Sequence, residues 1–330
     1  MSGRLWQMVA CVGFALGMGT AGAGGAEPAG AQGGFRFGEV SEQSLGLWEN
    51  EKPVLVYNHG LIAKKDLPGA RARACYVHPV YGLDGEVLTD DFPKDHMYHR
   101  GMYWAWPHIR IGDQEYELWT ARGELRQVFQ SWQAKEASTG GAKLGVLNGW
   151  YVGEKLVVRE QVSLQVHPAG DGSRAIDLEL NWTPVDQPLT LWGAEGKSYG
   201  GFNFRFGPRT KTVIRVPENS VLPEGVAAPA GQVSGDLVVT KLPWVDFAGD
   251  FSGAVGLSGA AIFVDPRHPD FPPTWMARHY GLVSVGWPGV ASKTFQANEP
   301  ITLRYRIWIH RGTPSVAEIQ VAYEAYRDSR

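Results

Sequence analysis

The fold is decided by KLVVREQVSLQVHPAGDGSRAIDLELNW, residues 155–182. Apolar and polar side chains alternate over residues 155–167, and they alternate again over residues 174–182, after a turn that contains Pro and Gly. Period-two alternation of this kind is typical of β-strands with one buried face and one solvated face. The stretch therefore predicts an antiparallel β-hairpin.

Glu160 departs from this alternation, because it falls on the same face as Val158 and Val162. A carboxylate on an apolar face is costly unless it is paired or protonated. Glu160 would then be a general acid, but a bulge in the strand or a polar cleft along this face would explain it equally well.

Similar alternation recurs along the whole chain, with turn residues between the segments. Further strands are predicted at 54–57, 72–78, 102–111, 125–132, 200–206, 212–216, 236–242, 260–264, 281–285 and 301–310. So many strands call for two stacked sheets. We therefore predict an all-β fold, a two-sheet antiparallel β-sandwich.

One helix is predicted, a short one at the C-terminus. Ser315 and Glu318 form a capping box, and apolar residues follow at helical spacing. These apolar residues are Val316, Ile319, Tyr323 and Tyr326. The helix is expected to pack on a sheet.

The N-terminus has the three parts of a secretory signal peptide. Arg4 precedes an apolar run at 6–18, and A-x-A patterns follow at 21–23 and 29–31. We predict a signal peptide at residues 1–31, a single β domain at 32–330, and a periplasmic or secreted location. The apolar run is too short for a lasting anchor, so no membrane insertion is expected.

Composition narrows the class of partner. The net charge is only −3 and no basic block is present, so no nucleic-acid partner is expected. The 13 Trp residues suit either platforms for sugar rings or a bulky core. Only Cys75 remains after the predicted cleavage, which rules out an intramolecular disulfide.

The densest polar segment is residues 76–108, which include His78, His96, His99 and Arg100. Histidine exchanges protons near neutral pH, and arginine binds carboxylates or sugar hydroxyls with its planar fork. Such a cluster predicts acid–base chemistry, although polar side chains of a long loop also satisfy one another. The spacing of the histidines is not diagnostic of a metal, so neither a metal nor another cofactor is predicted.

Two further segments carry candidate binding groups. In residues 192–207, Asn203 and Arg205 alternate with phenylalanines, and Glu195 lies in the preceding loop. In residues 265–282, a proline-rich loop leads to Arg278 and His279. Surface ion pairs or a sealed end of the sandwich would explain these residues as well.

Several of these segments resemble a bacterial family labelled PmoA-like, or methane oxygenase PmoA, and otherwise classed as a domain of unknown function. The matching stretches are YVHPVYGLDGE, TDDFPKDHMYHRGMYWAW, GGFNFRF, GAAIFVDPRHPDFPPTWMARHYGL and LRYRIWIHRG. The label fits poorly, because its namesake is an integral membrane subunit. The resemblance implies a soluble protein of polysaccharide-degrading bacteria with a galactose-mutarotase-like supersandwich. Tyr98 stands where relatives often have another histidine, which weakens a three-histidine metal site.

These observations lead to a hypothesis of a carbohydrate-active enzyme, a glycoside hydrolase or a lyase. The predicted catalytic residues are His78, His96, His99, Arg100 and Glu195, and the predicted substrate-binding residues are Asp95, Trp104, Trp106, Asn203, Arg205, Arg278 and His279. Convergence of Glu195 with a second carboxylate would indicate hydrolysis, whereas a site of only His, Tyr and Arg would favour a lyase or an epimerase. The alternatives are a noncatalytic glycan-binding protein and a metal-dependent oxidoreductase.

Overall fold

The structure, a computed structural model of the chain, describes residues 33–65 and 71–329. Gly33–Arg330 form one compact unit. The predicted signal peptide at residues 1–31 lies outside the described residues. Within the described ranges, no helix has both the length and the apolar composition that crossing a membrane requires.

The protein is built mainly of strands. In chain order they are β1 (Phe35–Ser41), β2 (Ser44–Glu49), β3 (Lys52–Asn58), β4 (Tyr76–Val80), β5 (Met102–Ala105), β6 (His108–Ile111), β7 (Gln114–Tyr116), β8 (Leu125–Ser138), β9 (Gly141–Val152), β10 (Lys155–Val166), β11 (Ser173–Pro184), β12 (Leu189–Trp192), β13 (Gly201–Arg205), β14 (Arg209–Arg215), β15 (Leu237–Lys241), β16 (Trp244–Phe251), β17 (Ser258–Val264), β18 (Thr274–Ala277), β19 (Leu282–Gly286), β20 (Lys293–Phe295) and β21 (Ile301–Arg311). One helix follows, α1 (Val316–Asp328).

Two large antiparallel sheets form the sandwich. One has nine strands in the order β1-β2-β3-β4-β5-β13-β19-β18-β15, and the other has eight in the order β14-β16-β17-β21-β11-β10-β9-β8. Aromatic side chains pack between them: Phe202 stacks on Tyr305 at 4.8 Å and Phe206 on Phe247 at 4.1 Å between ring centroids. The predicted all-β, two-sheet antiparallel fold is confirmed.

The hairpin at residues 155–182 is confirmed as β10 and β11, in which Glu160 lies opposite Trp182. The alternating face with Val162 and Leu164 is buried, and Arg159 and Gln161 on the other face are exposed. The periodicity therefore places the side chains of β10 on the correct side of the sheet from Val158 onward. Before that point it is wrong, because the register shifts between Leu156 and Val158, so Val157 is buried and Leu156 is half-exposed.

A small third sheet was not predicted. It has four strands in the order β20-β12-β6-β7. The predicted strand at 102–111 is wrong as one element, because it breaks at Trp106 and Pro107 into β5 and β6, which belong to different sheets. Proline cannot donate to a strand ladder, which explains a break at this point.

The C-terminal helix α1 is confirmed with its capping box. The Ser315 hydroxyl accepts a hydrogen bond from the Glu318 backbone N–H, and the Glu318 side chain accepts one from the Ser315 backbone N–H. The buried face of α1 packs against Trp244 and Phe263 of the eight-stranded sheet. The predicted apolar residues of the helix are therefore the ones that attach it to the sandwich.

Glu160 is fully buried and joins the strands of the eight-stranded sheet. Its Oε2 accepts hydrogen bonds from the indole N–H groups of Trp150 at 2.7 Å and Trp182 at 2.9 Å, and from Gln127 at 3.0 Å. Its Oε1 accepts one from Asn148 at 2.8 Å. Asn148 also donates to the Tyr57 hydroxyl on the nine-stranded sheet, at 2.9 Å. Glu160 therefore has a structural role at the centre of the sandwich.

Replacing Glu160 by Leu is expected to lower the free energy of unfolding by at least about 3 kcal/mol, since four buried N–H donors lose their acceptor and each costs about 1–3 kcal/mol. Urea unfolding measures the loss. Glu154→Leu is the control, because the Glu154 side chain is 99% exposed at the turn of the β9–β10 hairpin. A loss below about 1 kcal/mol for Glu160→Leu, or equal losses for both variants, would contradict this role.

Candidate functional site

The central strands of the nine-stranded sheet have two chemically different faces. Phe202 and Phe204 of β13 point into the core, next to Trp104 of β5. Asn203 and Arg205 point to the opposite face, on which Asn203 is paired with Tyr103 of β5. We call this second face the site face. It is polar because alternation along each strand leaves the apolar side chains for the core.

The loop before β5 carries the predicted histidines and is held in place by Arg100. This guanidinium is fully buried and donates to the carbonyl oxygens of Met97, His99 and Arg71. Its Nε lies 3.4 Å from Oδ1 of Asp91. These bonds to three backbone carbonyls hold the loop in place, so the position of Arg100 fits a residue that orients the loop.

Gly101 lets this loop lie close to β4. A Cβ atom on Gly101 would lie 2.9 Å from the Cβ of His78. No larger residue fits there without displacing β4 or the loop, so Gly101 allows the close approach.

His96 and His99 form an aromatic stack at the surface of the site face. Their rings are parallel within 1°, at 4.7 Å between centroids. The ring of Tyr280 stacks on His96 at 4.9 Å. Tyr98 contacts both histidines edge-on, at 5.8 and 4.9 Å. The H-x-x-H spacing therefore brings two imidazoles face to face.

Asp95 connects this stack to Arg205. Nη2 of Arg205 donates to both carboxylate oxygens, at 2.8 and 2.9 Å, and Nδ1 of His96 lies 3.0 Å from Oδ2. Burial alone would raise the pKa of Asp95, but the hydrogen bonds from His96 and Arg205 outweigh it and lower the pKa to about 2. Asp95 is therefore ionised at neutral pH, and it fits an orienting role better than a proton donor.

Around the buried inner ring of the stack, His99, lies a set of buried polar atoms that have no hydrogen-bond partner among the described residues. They are Nδ1 of His99, the hydroxyl of Tyr103, Oδ1 of Asn203, Nε and Nη1 of Arg205, and Nη1 of Arg73. We call these five residues the polar floor. Buried polar groups in folded proteins normally have partners, so such a concentration indicates that water or a ligand supplies them.

Partly exposed aromatic side chains surround the polar floor, and we call them the aromatic rim. They are His96, Tyr98, Tyr199 and Tyr280. Buried Trp119 connects rim and floor, because its ring stacks on Tyr199 at 4.3 Å and meets His99 edge-on at 5.6 Å. Flat aromatic faces suit the C–H faces of sugar rings.

Two groups of the polar floor have protonation states suited to proton transfer. Burial, with smaller contributions from Arg205 and His96, holds the pKa of His99 well below its usual value, so its imidazole is neutral at neutral pH. Burial raises the pKa of the Tyr103 hydroxyl, which therefore keeps its proton. The two rings are 6.3 Å apart between centroids. His99 is thus in the form that accepts a proton and Tyr103 in the form that donates one. Both shifts weaken these groups as a base and an acid, so efficient proton transfer requires bound substrate or water to bring their pKa values closer to neutral.

His78 lies on β4 beside this loop. Its Nδ1 is 2.9 Å from the Thr89 hydroxyl. Burial, with a smaller contribution from Arg100, lowers the pKa of His78 to about 4. Its backbone carbonyl accepts a hydrogen bond from the Asn58 side chain at 2.8 Å, so the contacts of His78 with Thr89 and Asn58 connect it to neighbouring segments of the sheet and not to the polar floor.

Trp104 and Trp106 lie in the core and have no exposed surface. Trp106 donates from its indole to the Trp287 carbonyl at 2.6 Å and packs against Trp150 and Trp182. The predicted sugar platform is therefore not formed by these two residues in this conformation. The aromatic surface beside the polar floor comes from His96 and three tyrosines instead.

The remaining predicted residues are not part of the polar floor. Glu195 is exposed in the loop between β12 and β13, and no contact recorded among the described residues joins it to the histidines. Arg278 and His279 both bind Asp236, at 3.0 Å each. This segment contributes Tyr280 to the rim, and Arg278 and His279 anchor the turn that carries it.

Sequence reasoning missed Arg73, Tyr103, Trp119, Tyr199 and Tyr280. Tyr103 carried a usable signal, because it alternates with Trp104 on β5 and so had to face away from the core. The other four come from distant segments, and only the pairing of β4, β5, β13 and β19 brings them together.

No group of three or more His, Cys, Asp or Glu side chains in residues 33–65 and 71–329 is arranged to hold a metal ion. A cleft of about 200 Å³ is lined by Arg73, Leu118 and Arg126. A larger one of about 710 Å³ lies between β1 and β8, next to His59 and Trp132.

Comparison with known proteins identifies the family. The model of a family of unknown function, DUF6807, matches residues 46–324. The chain belongs to this family. The description of this family does not mention methane oxygenase, so the comparison does not support the PmoA label. No curated protein matches the chain.

Among solved structures, the chain is similar to one described as a galactose mutarotase related enzyme from Lactobacillus acidophilus. The identity is 7%, the TM-score is 0.36, and the match covers 85% of this chain and 99% of that one. A likeness at this level carries no argument about function.

The lowered pKa of His78 predicts a loss of stability in acid. The unfolded chain binds a proton at this residue below about pH 6.5, whereas the folded protein binds it only below about 4. The free energy of unfolding should therefore fall across this window, by about 3 kcal/mol from His78 alone, at 1.36 kcal/mol per pKa unit. Urea unfolding of the wild type and of His78→Asn tests this, because the other histidines contribute equally to both.

The difference between the two proteins should be constant above pH 7 and should shrink toward pH 4. If the two plots of unfolding free energy against pH ran parallel over the whole range, the pKa of His78 would be the same in the folded and unfolded protein, which would contradict the prediction.

Proposed function

We propose that this protein is a carbohydrate-active enzyme that works by proton transfer at the site face, as a lyase or an epimerase. The observation that carries the proposal is the polar floor: a neutral imidazole at His99 and a protonated phenol at Tyr103 lie together, and both have unpartnered buried polar atoms. A base and an acid in one site are what proton abstraction from a sugar carbon requires.

The carbohydrate class is supported by the aromatic rim. Tyr280 is 38% exposed and lies beside His96 over the polar floor. An apolar ring face next to buried hydrogen-bonding atoms matches a sugar, which has C–H faces and hydroxyl edges.

Hydrolysis is supported less well. Glycoside hydrolases normally use two carboxyl groups on opposite sides of the bond that is cleaved. Asp95 is held by Arg205 and His96, and Asp91 is held by Tyr76 and Arg100. Glu195 is exposed in a separate loop, and Glu160 accepts four hydrogen bonds in the core. The arrangement of His, Tyr and Arg therefore favours a reaction that does not consume water, such as elimination or epimerisation.

A noncatalytic glycan-binding protein is the second candidate, and the partly exposed rim favours it. Such a protein needs the rim but does not need His99 and Tyr103 to exchange protons. We also propose that the protein acts in the periplasm or outside the cell, on the basis of the signal-like residues 1–31.

Incubation with a panel of oligosaccharides in D₂O is the test of proton transfer. Mass spectrometry should show an unsaturated product, or a product of unchanged bonding that has gained deuterium at one carbon. His99→Gln and Tyr103→Phe should each lower turnover by about 100-fold or more, the range for loss of a general acid or base.

Tyr305→Phe is the matched control, because its hydroxyl is equally buried and unpartnered but faces the core. It should keep turnover within about twofold, as expected for a residue outside the site. A product that gains one water and disappears in Glu195→Gln would indicate a hydrolase. Absence of any product, with the same sugar affinity in wild type and His99→Gln, would favour the binding protein.

A further inference from the structure

Two buried guanidinium groups at the site, those of Arg73 and Arg205, have N–H groups without a partner among the described residues. Arg73 is 5% exposed, and its Nη2 donates only to the backbone carbonyls of Leu118 and Trp119. Its Nη1 has no partner among the described residues. Burial and the neighbouring Arg100 lower the pKa of Arg73 to about 10, so it remains charged at neutral pH.

Arg205 has free donors beside its ion pair with Asp95. Nη2 is bound to Asp95, but Nε and Nη1 are buried and have no partner among the described residues. Nδ1 of His96 also lies 3.0 Å from Asp95, and Asp90 is a second carboxylate close enough to interact with Arg205.

Both arginines are close to the pair that would transfer protons. The Arg73 guanidinium lies over the ring of Tyr103 at 5.0 Å, and the charges of Arg73 and Arg205 both act on His99. Arg205 lies over the ring of Tyr280 at 4.9 Å, directly beneath the aromatic rim. Arg73 donates to backbone carbonyls rather than to a carboxylate, and Arg205 keeps free N–H groups beside Asp95. Buried guanidinium groups that lack partners are costly, so an anion is the expected occupant.

We propose that the substrate is an acidic sugar, a uronate, whose carboxylate binds the free N–H groups of Arg205 and Arg73. This inference rests on the proposed function and adds the substrate class. Arginine suits this role because guanidinium N–H groups match carboxylate oxygens in geometry and charge.

A bound carboxylate also explains why His99 would suffice as the base. The proton on the carbon next to a carboxylate is hard to remove, because negative charge builds up on that group; two guanidinium groups stabilise this charge. In an elimination, His99 takes this proton, the C–H electron pair forms a C=C bond, and the bond to the glycosidic oxygen breaks. The leaving oxygen takes the proton of Tyr103, so neither water nor an oxidant is consumed.

The test uses oligomers of galacturonate, glucuronate and mannuronate, each compared with its own methyl ester, which keeps the size and linkage but removes the charge. Isothermal titration calorimetry should show at least one acid form that binds about tenfold or more tightly than its ester, the effect of a charge-assisted hydrogen bond. Higher ionic strength should weaken the binding of the acid but not that of the ester.

Arg205→Gln and Arg73→Gln should each remove this preference. Arg73→Gln complements Arg205→Gln, because among the described residues the hydrogen bonds of Arg73 go to backbone carbonyls and its replacement releases no bonded carboxylate. Arg110→Gln is the control, because Arg110 is half-exposed on the four-stranded sheet and pairs with Glu115. It should keep the preference for the acid.

Equal binding of acid and ester, or a preference that survives in both variants, would overturn the uronate inference. If neutral oligosaccharides were then converted with loss of activity in His99→Gln, the proposed function would stand without it. If no sugar of either kind bound or reacted, both proposals would fail.

Discussion

The constraint on which the structure depends is the strict separation of the two faces of β5 and β13. Phe202, Phe204 and Trp104 must be buried against the eight-stranded sheet, and this fixes the register of both strands. A shift of one residue would move Phe202 to the site face and Asn203 into the core. The position of every polar floor residue on these strands thus follows from the burial of its apolar neighbours.

The core that imposes this register contains a buried carboxylate at its centre, that of Glu160. Glu160 accepts four hydrogen bonds, two of them from tryptophans, and Asn148 extends the network to Tyr57 on the opposite sheet. Polar groups buried in this way need every partner in place, so they specify one arrangement of the sheets. A rigid sandwich can then hold polar side chains at the site face without hydrogen-bond partners from the protein. A ligand or water supplies these hydrogen bonds and so offsets the free-energy cost of burying the side chains.

Much of the fold follows from local patterns in the sequence. The alternation in residues 155–182 predicted β10 and β11, and the alternation of Phe202, Asn203 and Phe204 predicted a core face and a polar face. The capping box at Ser315 predicted the start of α1. These features depend on neighbours along the chain, which the sequence shows directly.

The candidate site was harder to predict, because it depends on the pairing of strands that are far apart in sequence. His96 and His99 were found from their local density, but Tyr280 and Arg73 reach them only through the order of the nine-stranded sheet. Trp104 and Trp106 were assigned to sugar binding by residue type, although their shared face is the core. Glu195 was chosen for its chemistry alone, and loops give no periodicity that fixes a position.

The most direct test of the central claim is a crystal structure of the protein with a bound oligosaccharide. The sugar should lie against Tyr98 and Tyr280, with polar atoms within hydrogen-bond distance of His99 Nδ1 and the Tyr103 hydroxyl. A sugar bound in the cleft next to His59 and Trp132, with only water on the polar floor, would contradict the assignment of the site face as the functional site.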